Sequence, residues 1–238
     1  MAEGVLGRIA ASKRSELARR YAGVSLDALR ARAQLTKRSL KVALAKPSAR
    51  FILEIKKASP SQGAIRAGAD PAQLARGYAG VGDALSVLCD AEYFGGSLDD
   101  LSAARGEFDG PILAKDFFID LRQVAEARIA GADAILVMLS LLDDQAARDM
   151  IEEARRFGMD ALVEVHDKAE MERALALDAP IISRACSSSS SDNMTSTASA
   201  PAIRASATWR GSMKKSLARI GPSNAPRAAA RSSSDPPK

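Results

Sequence analysis

Between residues 51 and 182 the chain alternates short, continuous apolar runs with longer stretches of helical periodicity. The runs lie near 51–56, 85–89, 111–115, 134–139, 161–165 and 180–182, with starts 34, 26, 23, 27 and 19 residues apart. That spacing is too short for separate domains and suits repeated strand–helix units. Runs such as Ala134-Ile135-Leu136-Val137-Met138-Leu139 are apolar on both strand faces, as a parallel sheet covered on both sides requires.

The punctuation agrees with this reading. Asp70-Pro71 sets a capping residue before a proline at the first helical position, and Asp120 can cap a helix running through Val124 and Ala127. Gly131 and Gly158 stand where a left-handed residue closes a last helical turn. Met150, Ile151, Ala154 and Phe157 form a helix stripe suited to packing on a sheet. Upstream, Leu6, Ile9, Ala10, Lys13 and Leu17 keep a helical period, and Ser25 precedes a second run through Leu26, Leu29 and Ala33. Residues 1–46 therefore read as an N-terminal helical extension and 47–182 as strand–helix units.

A doubly wound sheet and a (β/α)8 barrel both satisfy this pattern, and the charged residues favour the barrel. Side chains alternate along a strand, so Glu54 and Lys56 share one face with Ile52, while Phe51, Leu53 and Ile55 share the other. Lys115 after Leu113 and Glu164 after Leu162 repeat the device near the ends of the third and fifth strands. In a barrel all of them look into one interior at the end where active sites are built; in an open sheet they would be spread along a line.

Composition narrows the setting. A chain of 238 residues with 47% hydrophobic content makes one large α/β domain or two small ones, and one is the favoured count. Met1-Ala2-Glu3-Gly4 leads into a charged helical pattern rather than a secretory signal, and no run reaches the roughly 18 apolar residues of a membrane span. Cys89 and Cys186 offer neither zinc spacing nor a disulfide framework, and a single histidine, His166, cannot build a multi-histidine metal site, so a reducing cytoplasm and no metal are expected. Residues 183–238 hold nine basic and two acidic side chains, a net of +7, which leaves 25 basic and 27 acidic in residues 1–182, a net of −2. With the body mildly acidic and only the tail basic, no nucleic-acid partner is expected.

The charged constellation suits a phosphorylated, anionic small molecule. Lys56 and Lys115 can neutralise carboxylate or phosphate, Ser59 can donate to phosphate, and Glu54 and Glu164 beside two lysines form an array for acid and base work near neutral pH. A structural ion pair of Glu54 and Lys56 at a strand end is the competing explanation, weakened by its repetition on three strands. His166 has no evident orienting partner and reads as a loop residue, and Cys89 reads as a small buried hydrophobe.

Phe51 to Ser61, Ser86-Val87-Leu88, Tyr93-Phe94-Gly95-Gly96-Ser97, Leu113-Ala114-Lys115-Asp116-Phe117, Gly131-Ala132-Asp133-Ala134 and Val163-Glu164-Val165-His166-Asp167 follow one another as they do in indole-3-glycerol phosphate synthase. The chain resembles that family over about residues 4–182, most closely the form fused to phosphoribosylanthranilate isomerase, which raises a relation to such a fused domain. The resemblance implies an eight-stranded barrel here truncated after about six strands. It implies closure of 1-(2-carboxyphenylamino)-1-deoxyribulose 5-phosphate to indole-3-glycerol phosphate, with loss of carbon dioxide and water and no cofactor. Under it Lys115 would be the general acid, Glu164 a proton acceptor, Lys56 the holder of the substrate carboxylate, Glu54 an orienting group and Ser59 a phosphate ligand. Phe94, Phe117 and Leu136 would wall the aromatic ring.

The likeness ends at Ser183. Where the family continues with a Gly-Ile-Asn-Asn-Arg-Asp-like segment, a Glu-Ser-Gly segment and a glycine-rich phosphate loop, this chain has fifteen serines, one leucine and no Val, Phe, Tyr or Glu through residue 238. Such a segment cannot bury enough apolar surface to order itself. It reads either as GC-rich coding sequence translated out of frame or as a genuine basic tail. Two other functions stay open on the sequence: a different phosphosugar barrel such as the pathway's isomerase, and an inactive remnant or anion-binding module using the basic tail.

Overall fold

Residues 5–59, 63–64 and 68–184 are described in a computed structural model. Six parallel strands form one sheet: β1 (Ile52–Ile55), β2 (Ala84–Leu88), β3 (Ile112–Lys115), β4 (Ala134–Met138), β5 (Asp160–Val165) and β6 (Ile181–Arg184). Each boundary falls within a residue or two of the apolar runs. The spatial order follows the chain order from β1 to β6 without reversal. A doubly wound sheet would reverse its order at a switch point; a sheet that never reverses places every crossover on the same side, which is the barrel arrangement. Six of the strands of a (β/α)8 barrel are thus present among the described residues, with β1 and β6 as the edges of the set.

Between the strands lie α4 (Pro71–Tyr78), α5 (Ala91–Phe94) and α6 (Leu98–Arg105), α7 (Leu121–Ala130), α8 (Asp144–Arg156) and α9 (Lys168–Ala176). The expected caps hold: Asp70 accepts from the Ala72 N–H ahead of Pro71, and Asp120 forms a reciprocal capping box with Gln123. Gly131 and Gly158 both adopt positive φ, 109° and 70°, just beyond α7 and α8.

Strand alternation separates two apolar clusters. Leu53, Ile55, Leu85, Val87, Ile112, Ala114, Ile135, Val137 and Val163 pack with helix residues including Val124, Met150, Ile151, Ala154 and Phe157, so the α8 stripe does serve the sheet. Ala84, Leu113, Ala134, Leu136, Met138 and Leu162 occupy the other face, the barrel interior.

The N-terminal extension is less uniformly helical than its periodicity predicts. It comprises α1 (Val5–Arg20), α2 (Leu26–Arg32) and α3 (Leu40–Leu44), and α2 stops before Ala33. Residues 33–39 run extended because tertiary partners outbid local helix: the Thr36 N–H donates to the Phe157 carbonyl at 3.0 Å, and the Thr36 hydroxyl bonds the Asp133 carboxylate. The extension reaches both ends of the sheet. Ser39 and the Lys41 N–H bind Asp160, the first residue of β5, at 2.7 and 3.0 Å, so Leu40, fully buried, enters the interior cluster from the amino-terminal end. Lys13 on α1 binds Asp90 and Asp116, which follow β2 and β3 at the opposite, carboxyl end.

Candidate active site

The carboxyl ends of the strands hold the charged residues. The Glu54 carboxylate is shared: one oxygen lies 2.9 Å from the Lys115 ammonium and the other 3.1 Å from that of Lys56. All three side chains are about one-third exposed, open to a ligand yet partly withdrawn from solvent. Burial pushes the Glu54 carboxyl up, but Lys115 and then Lys56 overcome it and hold the group below its ordinary value.

Register explains why residues on different strands meet. Glu54 pairs with Ser86, Ser86 with Leu113, Leu113 with Ala134, and Ala134 with Asp160. Lys115 therefore stands two residues ahead of Glu54's row, yet touches it. Barrel strands are tilted and staggered, so one level of the interior is built from alternate strands, with the row advancing two residues at each second strand. The same advance carried to β5 reaches Glu164. Glu54, Lys115 and Glu164 thus belong to one level contributed by β1, β3 and β5. By the same count Ser86 and Leu136 share the adjoining level from β2 and β4.

Glu164 is near His166, whose Nε2 lies 3.6 Å from its carboxylate. The expectation that His166 has no partner is corrected: its Nδ1 lies 3.2 Å from Glu170 and its backbone N–H donates to the same carboxylate at 2.7 Å. The cause is local, since α9 begins at Lys168 and brings residue 170 back over residue 166.

Phe94 and Phe117 do come together, with ring centroids 6.1 Å apart, and both join the interior cluster with Leu136. Tyr93, to which sequence reasoning gave no role, packs edge-on against Phe117 at 6.3 Å. Ser86 was likewise passed over; its hydroxyl is buried beside Glu54's row with no hydrogen-bond partner. Its inward position in the β2 alternation was the available signal. Ser59 pairs through its backbone with Gly63 in a two-residue antiparallel ladder following β1, and its side chain lies outside the described part of the structure. Cys89 is buried, and burial pushes its thiol well up, in keeping with a packing role.

The arrangement presents two ammonium groups around one carboxylate, a second carboxylate at the same level and an aromatic wall beside them. It can pair an anionic ligand, donate a proton from lysine and accept one at a carboxylate. Among the described residues no cluster of three or more His, Cys, Asp or Glu side chains could hold a metal ion, and no helix is long and apolar enough to cross a membrane.

Comparison with known proteins bears on the same residues. The family model described as indole-3-glycerol phosphate synthase matches residues 6–184. The indole-3-glycerol phosphate synthase of Variovorax paradoxus is 44% identical over 189 residues, covering 75% of this chain and 71% of the relative. That of Streptomyces griseus is 45% identical over 181 residues, covering 75% and 67%, and that of a Nocardioides strain 52% over 132 residues, covering 55% and 51%. The chain thus spans between about half and seven-tenths of the length of these relatives. A solved structure titled as KGPDC from Streptococcus mutans matches with a TM-score of 0.40 and 17% identity over 56% of this chain and 62% of that one. A match that takes in every strand from β1 to β6, the helical extension and the Glu54, Lys115 and Glu164 positions identifies the chain as a member of the indole-3-glycerol phosphate synthase family.

Proposed function

We propose that this chain carries the acid–base part of a site that closes 1-(2-carboxyphenylamino)-1-deoxyribulose 5-phosphate to indole-3-glycerol phosphate. The observation that carries the reading is the Lys115–Glu54–Lys56 contact at 2.9 and 3.1 Å, at one level with Glu164. Lys56 pairs with the substrate carboxylate and Glu54 aims the two lysines. Lys115 protonates the ketone oxygen as the ring carbon bearing the carboxylate attacks the carbonyl carbon. Carbon dioxide then leaves, its bonding electrons returning to the ring. In the dehydration Lys115, reprotonated from solvent after its first donation, protonates the departing hydroxyl, and Glu164 accepts the proton released as the indole becomes aromatic. Phe94, Phe117 and Leu136 enclose the ring, and Ser59 contacts the phosphate. The partner is this phosphosugar, the setting the cytoplasm.

We also infer that the 238-residue polypeptide alone turns over poorly. The family match stops at residue 184, and residues 183–238 contain no counterpart of the Asn-Arg, Glu-Ser-Gly or glycine-rich phosphate segments that the resemblance implies. Barrels commonly assemble their phosphate site from the last two strand–helix loops. Two absent charge-assisted contacts at about 1.5–3 kcal/mol each amount to roughly a hundredfold or more in transition-state stabilisation. The test is product formation from this substrate by the purified chain, its Lys115→Ala variant and the Variovorax paradoxus relative. A small Lys115-dependent rate is expected; turnover equal to the relative's would refute the incompleteness, and an unaffected Lys115→Ala variant would refute the assigned acid.

A further inference from the structure

Three side chains form a line at the carboxyl end of β5. The Glu164 carboxylate lies 3.6 Å from Nε2 of His166, and Nδ1 of the same ring lies 3.2 Å from the Glu170 carboxylate. Glu170 is fixed twice over: its backbone N–H donates to the Asp167 cap at 2.8 Å, and its carboxylate accepts from the His166 backbone N–H at 2.7 Å. The imidazole is thus held along one edge by a carboxylate of α9, with its other nitrogen turned toward a carboxylate of the charged level. Glu164 is 18% exposed, His166 36% and Glu170 13%, so the ring is the member with most access to water. A contact across one helical turn accounts for the Glu170 end of the line. That contact needs only the backbone N–H of residue 166; the ring adds a second nitrogen beside the candidate proton acceptor.

We propose that His166 is the proton outlet of Glu164, a positioning residue that acts through it, with Glu170 orienting the ring. The inference rests on the reading of Glu164 as the proton acceptor and deepens it: a carboxyl that has taken a proton from the substrate must lose it before the next turnover. The nearer contact sets the neutral tautomer, because 3.2 Å is within hydrogen-bonding reach and 3.6 Å is not. Nδ1–H donates to Glu170, and Nε2 keeps its lone pair on the Glu164 side. The protonated Glu164 gives its proton to that lone pair as the gap closes, since such contacts commonly tighten only with the substrate bound. The imidazolium keeps its Nδ1–H on Glu170, whose negative charge favours it, and releases the Nε2 proton to water. Glu164 returns to the carboxylate and the ring to its starting tautomer, so one proton leaves the substrate and one reaches solvent.

The chain has a single histidine, so its ring can be read directly. Nitrogen NMR of the untagged 238-residue chain, labelled with the heavy nitrogen isotope and with the ring deprotonated, should show Nδ1 protonated and Nε2 bare. Glu170→Ala should convert it to the Nε2–H form that free histidine prefers. An Nε2–H ring in the unaltered chain overturns the proposal. Product formation gives the second reading. His166→Ala should lower the Lys115-dependent rate by about tenfold, less than the roughly hundredfold or more of a group that exchanges protons with the substrate itself, because Glu164 still discharges slowly to water. Free imidazole in the buffer should restore the rate of His166→Ala and leave that of Lys115→Ala unchanged. A folded His166→Ala chain that is not slowed, or that imidazole does not restore, overturns the proposal, since a ring that only packs is not replaced by a dissolved base. His166→Gln keeps a polar side chain without a basic nitrogen and should be as slow, which decides the matter if His166→Ala does not fold. Should the unaltered chain form no product, the proposed function is refuted, and the tautomer alone decides whether His166 is set to serve Glu164.

Discussion

Asp133 belongs to a segment, Gly131-Ala132-Asp133-Ala134, that helps to mark the family, yet it lies at the amino-terminal end of β4, away from the charged site. It is 0% exposed, and its carboxylate meets Arg105 at 2.7 Å, Arg128 at 3.0 Å, the Ile112 N–H at 3.0 Å and the Thr36 hydroxyl. Asp133→Ala would leave two guanidinium groups, each less than one-sixth exposed, without the carboxylate they share, and would orphan a strand N–H. Removing one partner of a buried ion pair costs about 3–5 kcal/mol. The arginines retain some access to water, so the lower end applies, about 3 kcal/mol. With a urea dependence of about 2 kcal/mol per molar for a domain of this size, the midpoint should fall by about 1.5 M. Equilibrium urea unfolding followed by circular dichroism measures it. A fall under about 0.5 M, or about 1 kcal/mol, would place the cluster among exposed pairs and refute the reading of Asp133 as the buried counter-ion of Arg105 and Arg128.

Two further outcomes follow from the electrostatics. The folded Glu54 carboxyl sits below its ordinary value of 4.5, so its contribution to stability is full above 4.5 and disappears as the pH falls through the lower folded value. Glu54→Gln should therefore match wild type in strong acid and become progressively less stable than it as the pH rises from the lowered folded value to 4.5, the difference staying constant above that, read from urea midpoints across pH; a difference that does not change across acid pH would deny the shift. Cys89, buried with its thiol pushed up, should resist a disulfide reagent in the folded chain and react once urea unfolds it. Peptide mapping of label at Cys89 checks this, and prompt native labelling would contradict it.

The strands were legible because a sheet buried on both faces writes itself as uninterrupted apolar runs, and because Glu54, Lys115 and Glu164 interrupt those runs on the inward alternation. Caps were legible for the equally local reason that Asp70, Asp120, Gly131 and Gly158 act on their own helix ends. What escaped depends on partners distant in sequence. The extended stretch 33–39 is held by Phe157 and Asp133, about a hundred residues away, and no local pattern announces it. Lys13 looked like one more member of a helical stripe, and only Asp90 and Asp116 show why a charge belongs there. The Glu170 partner of His166 was within reach, being one helical turn ahead, as was Ser86 by its inward place on β2.

The central claim is that residues up to 184 hold a working acid–base half-site whose missing complement lies in the family's later strands. The most direct measurement joins residues 1–184 to the corresponding C-terminal part of the Variovorax paradoxus relative and assays indole-3-glycerol phosphate formation. The account predicts a chimera at least roughly a hundredfold faster than the 238-residue chain, with the gain abolished by Lys115→Ala. A folded chimera no faster than that chain, or one indifferent to loss of Lys115, would contradict it.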